Sequence, residues 1–199
     1  MLTSKRLKSL LLSSVFIIAP SFVSAETYEI DASHSTVGFK IRHLAISNVA
    51  GIFSKFSGTF NYDHKDLEKS STEATIEVAS VDTNELKRDD HLRNPDFFDA
   101  SKFPKMTFKS SKVTKVSDST FKVDGDLTIK DITKPVSLTV EKTGEAVDPW
   151  GNQRVAFNAT TKINRKEFGL TWSKLLETGA LVVGEEVTIN IDIEGIKKK

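Results

Sequence analysis

Apolar and polar residues alternate with period two along most of the chain after Glu26. That spacing turns one face of an extended strand inward and the other outward. Val37, Phe39 and Ile41 alternate with Gly38, Lys40 and Arg42, and Phe56, Gly58, Phe60 and Tyr62 alternate with Ser57, Thr59 and Asn61. Ala74, Ile76 and Val78 face away from Thr75 and Glu77, while Met106 and Phe108 open a strand that ends near Val116. In the run from Phe121 to Lys130, Phe121, Val123, Leu127 and Ile129 oppose Lys122, Asp124, Asp126 and Thr128. Val136, Leu138 and Val140 follow, then Val155, Phe157, Ala159, Thr161 and Ile163, and finally Val187, Ile189, Ile191 and Ile193. Turn residues at Ser117-Asp118-Ser119 and from Asp148 to Asn152 separate these runs. Residues 42–53 and 84–104 break the alternation and read as short helical or irregular insertions. About eight antiparallel strands with one apolar face predict an all-β sandwich or a closed barrel, and closure removes exposed edges.

The first residues read as an address. Lys5, Arg6 and Lys8 precede an apolar stretch over 10–19, and Pro20 and Val23-Ser24-Ala25 then supply a cleavage site before Glu26. The stretch is shorter than the roughly 20 apolar residues a membrane span needs. The expected organisation is a cleaved signal peptide over 1–25 and one domain over 26–199. The whole chain carries 28 basic and 27 acidic residues, and loss of the three basic residues leaves 25 against 27. A mildly acidic domain argues against a polyanion-binding face. The absence of Cys excludes disulfides, thiolate zinc sites, a Cys nucleophile and a Cys-linked lipid anchor.

Phenylalanine stands out: the chain has 13, against two Tyr and two Trp, and 11 remain once Phe16 and Phe22 are removed. Phe buries a large apolar area without a polar handle. An eight-stranded barrel can pack such residues into a solid interior or leave room for one small ligand, and composition alone favours the solid core. A long aliphatic ligand would be held by burial, at about 0.8 kcal/mol per CH₂.

Polar candidates are sparse. His34, His43 and His91, taken with Asp31, Asp89 or Asp90, lack metal-ligand spacing and read as hydrogen-bonded residues near loops. Ser35, His91 and Asp90 could be drawn as a triad, but no nucleophile elbow surrounds any Ser. Arg165 closes an apolar strand, where a cation can meet Asp90 or an anionic headgroup at a barrel mouth. A plain surface salt bridge is the ordinary alternative.

Tyr28, Ile30, Asp31, His34, Ser35, Val37 and Phe39, followed by His43, resemble the opening of the YceI-like family of secreted bacterial proteins. The resemblance continues through Gly51, Phe53, Phe56 and Gly58, through Asp90-His91-Leu92 with Pro95, Phe97, Phe98 and Asp99, and through Phe103, Pro104, Phe108 and Ser110. It ends with Gly125 to Lys130, Thr133 to Val136, and Ile163-Asn164-Arg165 with Phe168-Gly169. One departure is Asp131, where relatives commonly carry Gly; Asp tolerates a left-handed backbone less easily, so a slightly different hairpin is expected there.

The resemblance implies an all-β, antiparallel, eight-stranded, extended lipocalin-like barrel with short helical insertions. It further implies a periplasmic binding protein, without catalysis, metal or cofactor, holding an isoprenoid, isoprenoid quinone or fatty-acid-like lipid in a hydrophobic tunnel. Carried onto this chain, the tunnel wall comprises Phe39, Ile41, Phe53, Phe56, Phe60, Ile76, Phe97, Phe98, Phe103, Phe108, Phe121, Leu127, Val136, Leu138, Phe157 and Phe168. His34, His43, Asp90, His91 and Arg165 match the family's polar motif positions, at the mouth or as loop fasteners. A homodimer and a membrane quinone-handling partner are further expectations. The alternative is an enzyme acting on a quinone or lipid through the Asp90-His91 pair.

Overall fold

The computed structural model describes residues 25–199, so all of the expected signal peptide except Ala25 lies outside the described residues. Eleven strand segments form one sheet: β1 (Glu26–Ile30), β2 (Thr36–His43), β3 (Ser47–Phe53), β4 (Phe56–Tyr62), β5 (Ser71–Glu77), β6 (Val81–Asp82), β7 (Lys105–Lys115), β8 (Thr120–Ile129), β9 (Ile132–Val147), β10 (Gln153–Asn164) and β11 (Val183–Lys197). They amount to eight staves of a barrel. β1 and β2 are successive halves of one stave, since β11 pairs with β2 from Val183 to Asp192 and with β1 from Gly195 to Lys197. β3 and β4 make the next stave, paired with β2 and β1 respectively. β5 and β6 make the third, paired with β4 and β3. Strands β7 to β11 are continuous, and each pairs antiparallel with the next. The β1–β11 and β2–β11 ladders close the ring. The expected eight-stranded antiparallel barrel is therefore the observed one.

The three broken staves are interrupted at one level, over 31–35, 54–55 and 78–80. Asp31 caps the first break by accepting a hydrogen bond from the Ser33 amide at 3.0 Å, and Ser54 and Lys55 in the second are bonded to Ser80 in the third. Residues 42–53 depart from the expectation of an irregular insertion. They form the β2–β3 hairpin, whose turn places Leu44 and Ala45 at φ of 53° and 61°. No Gly, Asn or Pro marks that turn, so its chemistry was invisible. The hairpin after β8 also differs: its left-handed residue is Lys130, at φ 57°, not Asp131.

Segment 84–104 contains α1 (Leu86–Arg93), which Glu85 starts by accepting from the Lys87 amide. Asn94 and Pro95 end it. The helix is tied to the barrel through buried Asp89, whose Oδ1 accepts from the Thr83 amide at 2.9 Å and the Thr83 hydroxyl at 2.5 Å. Arg93 adds bonds to the Ala79 and Val81 carbonyls, at 2.9 and 2.8 Å. We call the end carrying α1 the upper end. Among the described residues, no helix is long and apolar enough to cross a membrane.

Candidate functional site

The inward side chains form two clusters. The lower holds Tyr28, Phe60, Tyr62, Phe121 and Phe157 with Val113, Val123, Val140 and Val155. The upper holds Val37, Phe53, Phe97, Met106, Leu127, Ile129, Ile163, Phe168 and Leu170 with Val78 and Val81. The strands enclose a cavity of about 450 Å³ that runs past both clusters, with Phe60, Tyr62, Phe121 and Phe157 of the lower one on its wall. Every residue carried over as tunnel wall lines it except Phe103 and Phe168. Phe168 is only 1% exposed and belongs to the packed upper core. The short turn after β10, capped by Asn164 and ended by left-handed Gly169, tucks it away from the lumen. Phe103 lies at the edge of the irregular segment, with the Lys102 and Lys130 ammonium groups 4.9 and 5.7 Å from its ring centre.

The wall also contains aliphatic residues outside the carried-over set, among them Val37, Met106, Val123, Ile129, Val140, Ile163 and the run Val187, Ile189, Ile191 and Ile193. Their signal was the same alternation. Leu170, Trp172 and Val182 line the upper end from a loop that has no periodicity, and nothing in the sequence pointed to them.

Of the five polar positions, His43, His91 and Arg165 reach the cavity, all at its upper end. His91 stands edge-on to Phe97 and Trp172, with ring centres 4.9 and 5.4 Å away, and its Nε2 lies 3.1 Å from Asp96 Oδ2. Asp90 is not on the cavity wall. Its side chain is 76% exposed and accepts from Arg93 at 3.0 Å, so it steadies the arginine that fastens α1. The pair required for acid–base work is thus split, with Asp90 and His91 bonded to different partners. His34 sits outside the barrel, bonded to Asp31 at 2.8 Å, and shares no site with His43 or His91.

Arg165 is 2% exposed and meets no carboxylate, Asp90 included. Its Nε donates to the Gly184 carbonyl at 2.7 Å, Nη1 to that of Leu170, and Nη2 to that of Val183 at 3.3 Å. These bonds clasp the 170–184 loop to the end of β10. Burial pulls the Arg165 pKa downward, the direction expected for a cation removed from water. Arg42 and Arg88 also line the upper end; Arg88 is bonded to the Thr83 hydroxyl and carbonyl at 2.7 and 2.8 Å. No Asp or Glu lines the cavity anywhere.

Charge compensation lies outside and below. On the outer wall, Arg154 donates Nε to Asp148 at 2.8 Å and Nη1 to Asp31 at 2.8 Å and to Glu194. Hydrogen bonds from Ser33, Arg154 and His34 hold the Asp31 carboxyl well below the usual range, and Asn152 and Arg154 do the same for Asp148. Asp31, His34 and Glu194 converge closely enough to ligate one ion, but the guanidinium already bridges the two carboxylates. At the lower rim, Glu26 accepts from Lys197 at 2.6 Å and from the Tyr28 hydroxyl at 3.0 Å. Burial and that bond push the Tyr28 pKa upward.

A closed antiparallel barrel with an apolar lumen and this order of motifs meets its decisive match in sequence: the YceI-like domain corresponds to residues 28–195. The chain belongs to the YceI-like family. Protein YceI of Salmonella newport (strain SL254) is 39% identical over 197 residues, 98% of this chain and 99% of the relative. Among solved structures, BcnA of Burkholderia cenocepacia is 26% identical with a TM-score of 0.74, covering 83% of this chain and 98% of its own. A polyisoprenoid binding domain from Saccharophagus degradans shares the fold at a TM-score of 0.62 and 14% identity, covering 86% of this chain and 98% of its own.

Proposed function

We propose that this protein is a non-catalytic periplasmic carrier or store of a long apolar lipid, an isoprenoid or isoprenoid quinone, held in the barrel lumen. The observation that carries the reading is the lumen itself: a cavity of about 450 Å³ whose wall between its ends is built mainly from Phe, Val, Ile and Leu. Such a wall stabilises a chain by burial and offers no reacting group along its length. The polyisoprenoid-binding fold neighbour and the family membership support the same class of ligand.

The ligand's polar end belongs at the upper end. Arg42, Arg88, His43 and His91 gather there with no acid on the wall, which favours a headgroup rich in hydrogen-bond acceptors. Delivery to a membrane quinone-handling partner, and pairing of two copies, form part of the same proposal. Native mass spectrometry of protein purified from the periplasm, followed by organic extraction, tests it. The expected result is a mass increment that matches an extracted isoprenoid-like lipid. Protein that is empty and also fails to take up added isoprenoid quinone overturns the reading.

A further inference from the structure

Four inward-facing glycines interrupt the barrel wall, and each is covered by a large side chain: Gly51 by Phe39, Gly58 by Ile30 and Gly125 by Phe108 of a neighbouring strand, and Gly195 by Phe60 from two strands away. Two of these covering rings, Phe39 and Phe108, are half-buried and border the lumen. Gly51 is directly opposite Phe39 in the β2–β3 ladder. A Cβ at position 51 would stand 2.7 Å from Phe39 Cε1 and 2.7 Å from the Thr83 methyl, far inside van der Waals contact. The glycine therefore makes a niche, and the ring lies in it against the wall.

We propose that Gly51 is a specificity-determining residue of the lumen, setting its bore by holding Phe39 out of the ligand's path. The inference rests on the lipid-binding reading and adds which chains fit. The surroundings decide which group would move if the niche were filled. Thr83 is pinned, because its amide and hydroxyl donate to Asp89 and its hydroxyl accepts from Arg88. On the far side, Ile189 of β11 is in register with Phe39. Phe53, braced edge-on by Phe98, stands 5.6 Å from the Phe39 ring centre and blocks a sideways shift. Only the lumen is free to receive the ring. At Gly125 the added methyl would also strike the Lys109 carbonyl, whereas at Gly51 every close atom belongs to a side chain. Position 51 is therefore the cleaner place to change the bore without disturbing the backbone ladder.

A bore set by a flat ring admits a chain that is wide along its length, such as one bearing methyl branches. The test compares binding of phytanic acid, which is methyl-branched, with that of hexadecanoic acid, which has the same main chain unbranched. Both carry the same carboxylate, so the upper rim contributes equally. In Gly51→Ala the affinity for phytanic acid is expected to fall by about tenfold or more while that for hexadecanoic acid changes less than about threefold. Adding Phe39→Leu is expected to restore the branched acid. Equal retention or equal loss of both acids by folded Gly51→Ala overturns the proposal. If Gly51→Ala shows no cooperative melt, Phe39→Leu alone decides, since it should raise the preference for the branched acid, and an unchanged preference overturns the proposal. If the unaltered protein takes up neither acid nor quinone, the lipid-binding reading fails instead. A crystal structure of Gly51→Ala then decides the bore by itself: Phe39 in the lumen upholds it, and Phe39 still on the wall overturns it.

Discussion

The lower and upper halves of the barrel are built from the same residue type and pack it to different degrees. Below, Phe157 is packed edge-on against Phe60, Tyr62 and Phe121, at ring-centre distances of 5.6, 5.3 and 5.7 Å, and Tyr28 stacks on Phe60 at 5.2 Å. These rings brace one another, and Phe60, Tyr62, Phe121 and Phe157 border the lumen while doing so. Above, Phe39, Phe56, Phe98 and Phe108 are half-buried, with one face on the wall and the other on a void. A phenylalanine's contribution is thus set by what lies across from it. Both sets border the lumen, but the lower rings also brace one another, whereas the upper ones leave more of their surface to the void.

The sharpest way to break this contrast is truncation. Phe157→Ala should cost about 3–5 kcal/mol, the usual loss for a large buried ring, since three other rings brace it. Phe108→Ala should cost roughly half that or less, because one face of the ring already lacks partner atoms. Chemical denaturation of both variants reads the difference; equal losses would dissolve the distinction between the halves. Next in size is Arg165→Met, which leaves the carbonyls of Leu170, Val183 and Gly184 without their donor. A loss of about 2–3 kcal/mol is expected, and hydrogen exchange should rise over 170–184 while the lower cluster keeps its protection. Uniform loss of protection would tie the upper loop to the whole fold.

The smallest effect concerns acid. Asp31 and Asp148 have carboxyls held below their ordinary pKa in the folded protein, so the stability they add is complete above the unfolded value near 4 and is lost as pH falls through the folded values. Arg154→Leu removes their shared partner. Its melting temperature should lie below that of the unaltered protein at pH 7 by an amount worth about 1 kcal/mol, and the gap should narrow below about pH 4. A gap that is constant with pH would assign the loss to packing.

Much of the architecture was legible because period-two alternation reports which face is buried, and the β8 and β11 patterns matched their strands closely. The β2–β3 hairpin was not legible. Its turn uses Leu44 and Ala45 at positive φ, a conformation for which neither residue type is a signal. The wall of the lumen was readable for Phe39, Phe56 and Phe108, but alternation cannot separate a residue that lines a cavity from one that fills it. Phe168 shows this most plainly: its motif position suggested wall, and a capped turn directs it into packed core. Asp90 and His91 adjoin in sequence, yet neighbours on a helix point about 100° apart, which is why one fastens and the other faces inward.

The interruptions in three adjacent staves give the cylinder a jointed side and a stiff side. Strands β7 to β11 run unbroken, while at 31–35, 54–55 and 78–80 side chains replace part of the backbone ladder. A wall of this kind yields where its hinges line up, as regions with fewer ladder bonds open at lower free energy. The jointed flank is therefore expected to exchange its amide hydrogens sooner than the five continuous staves.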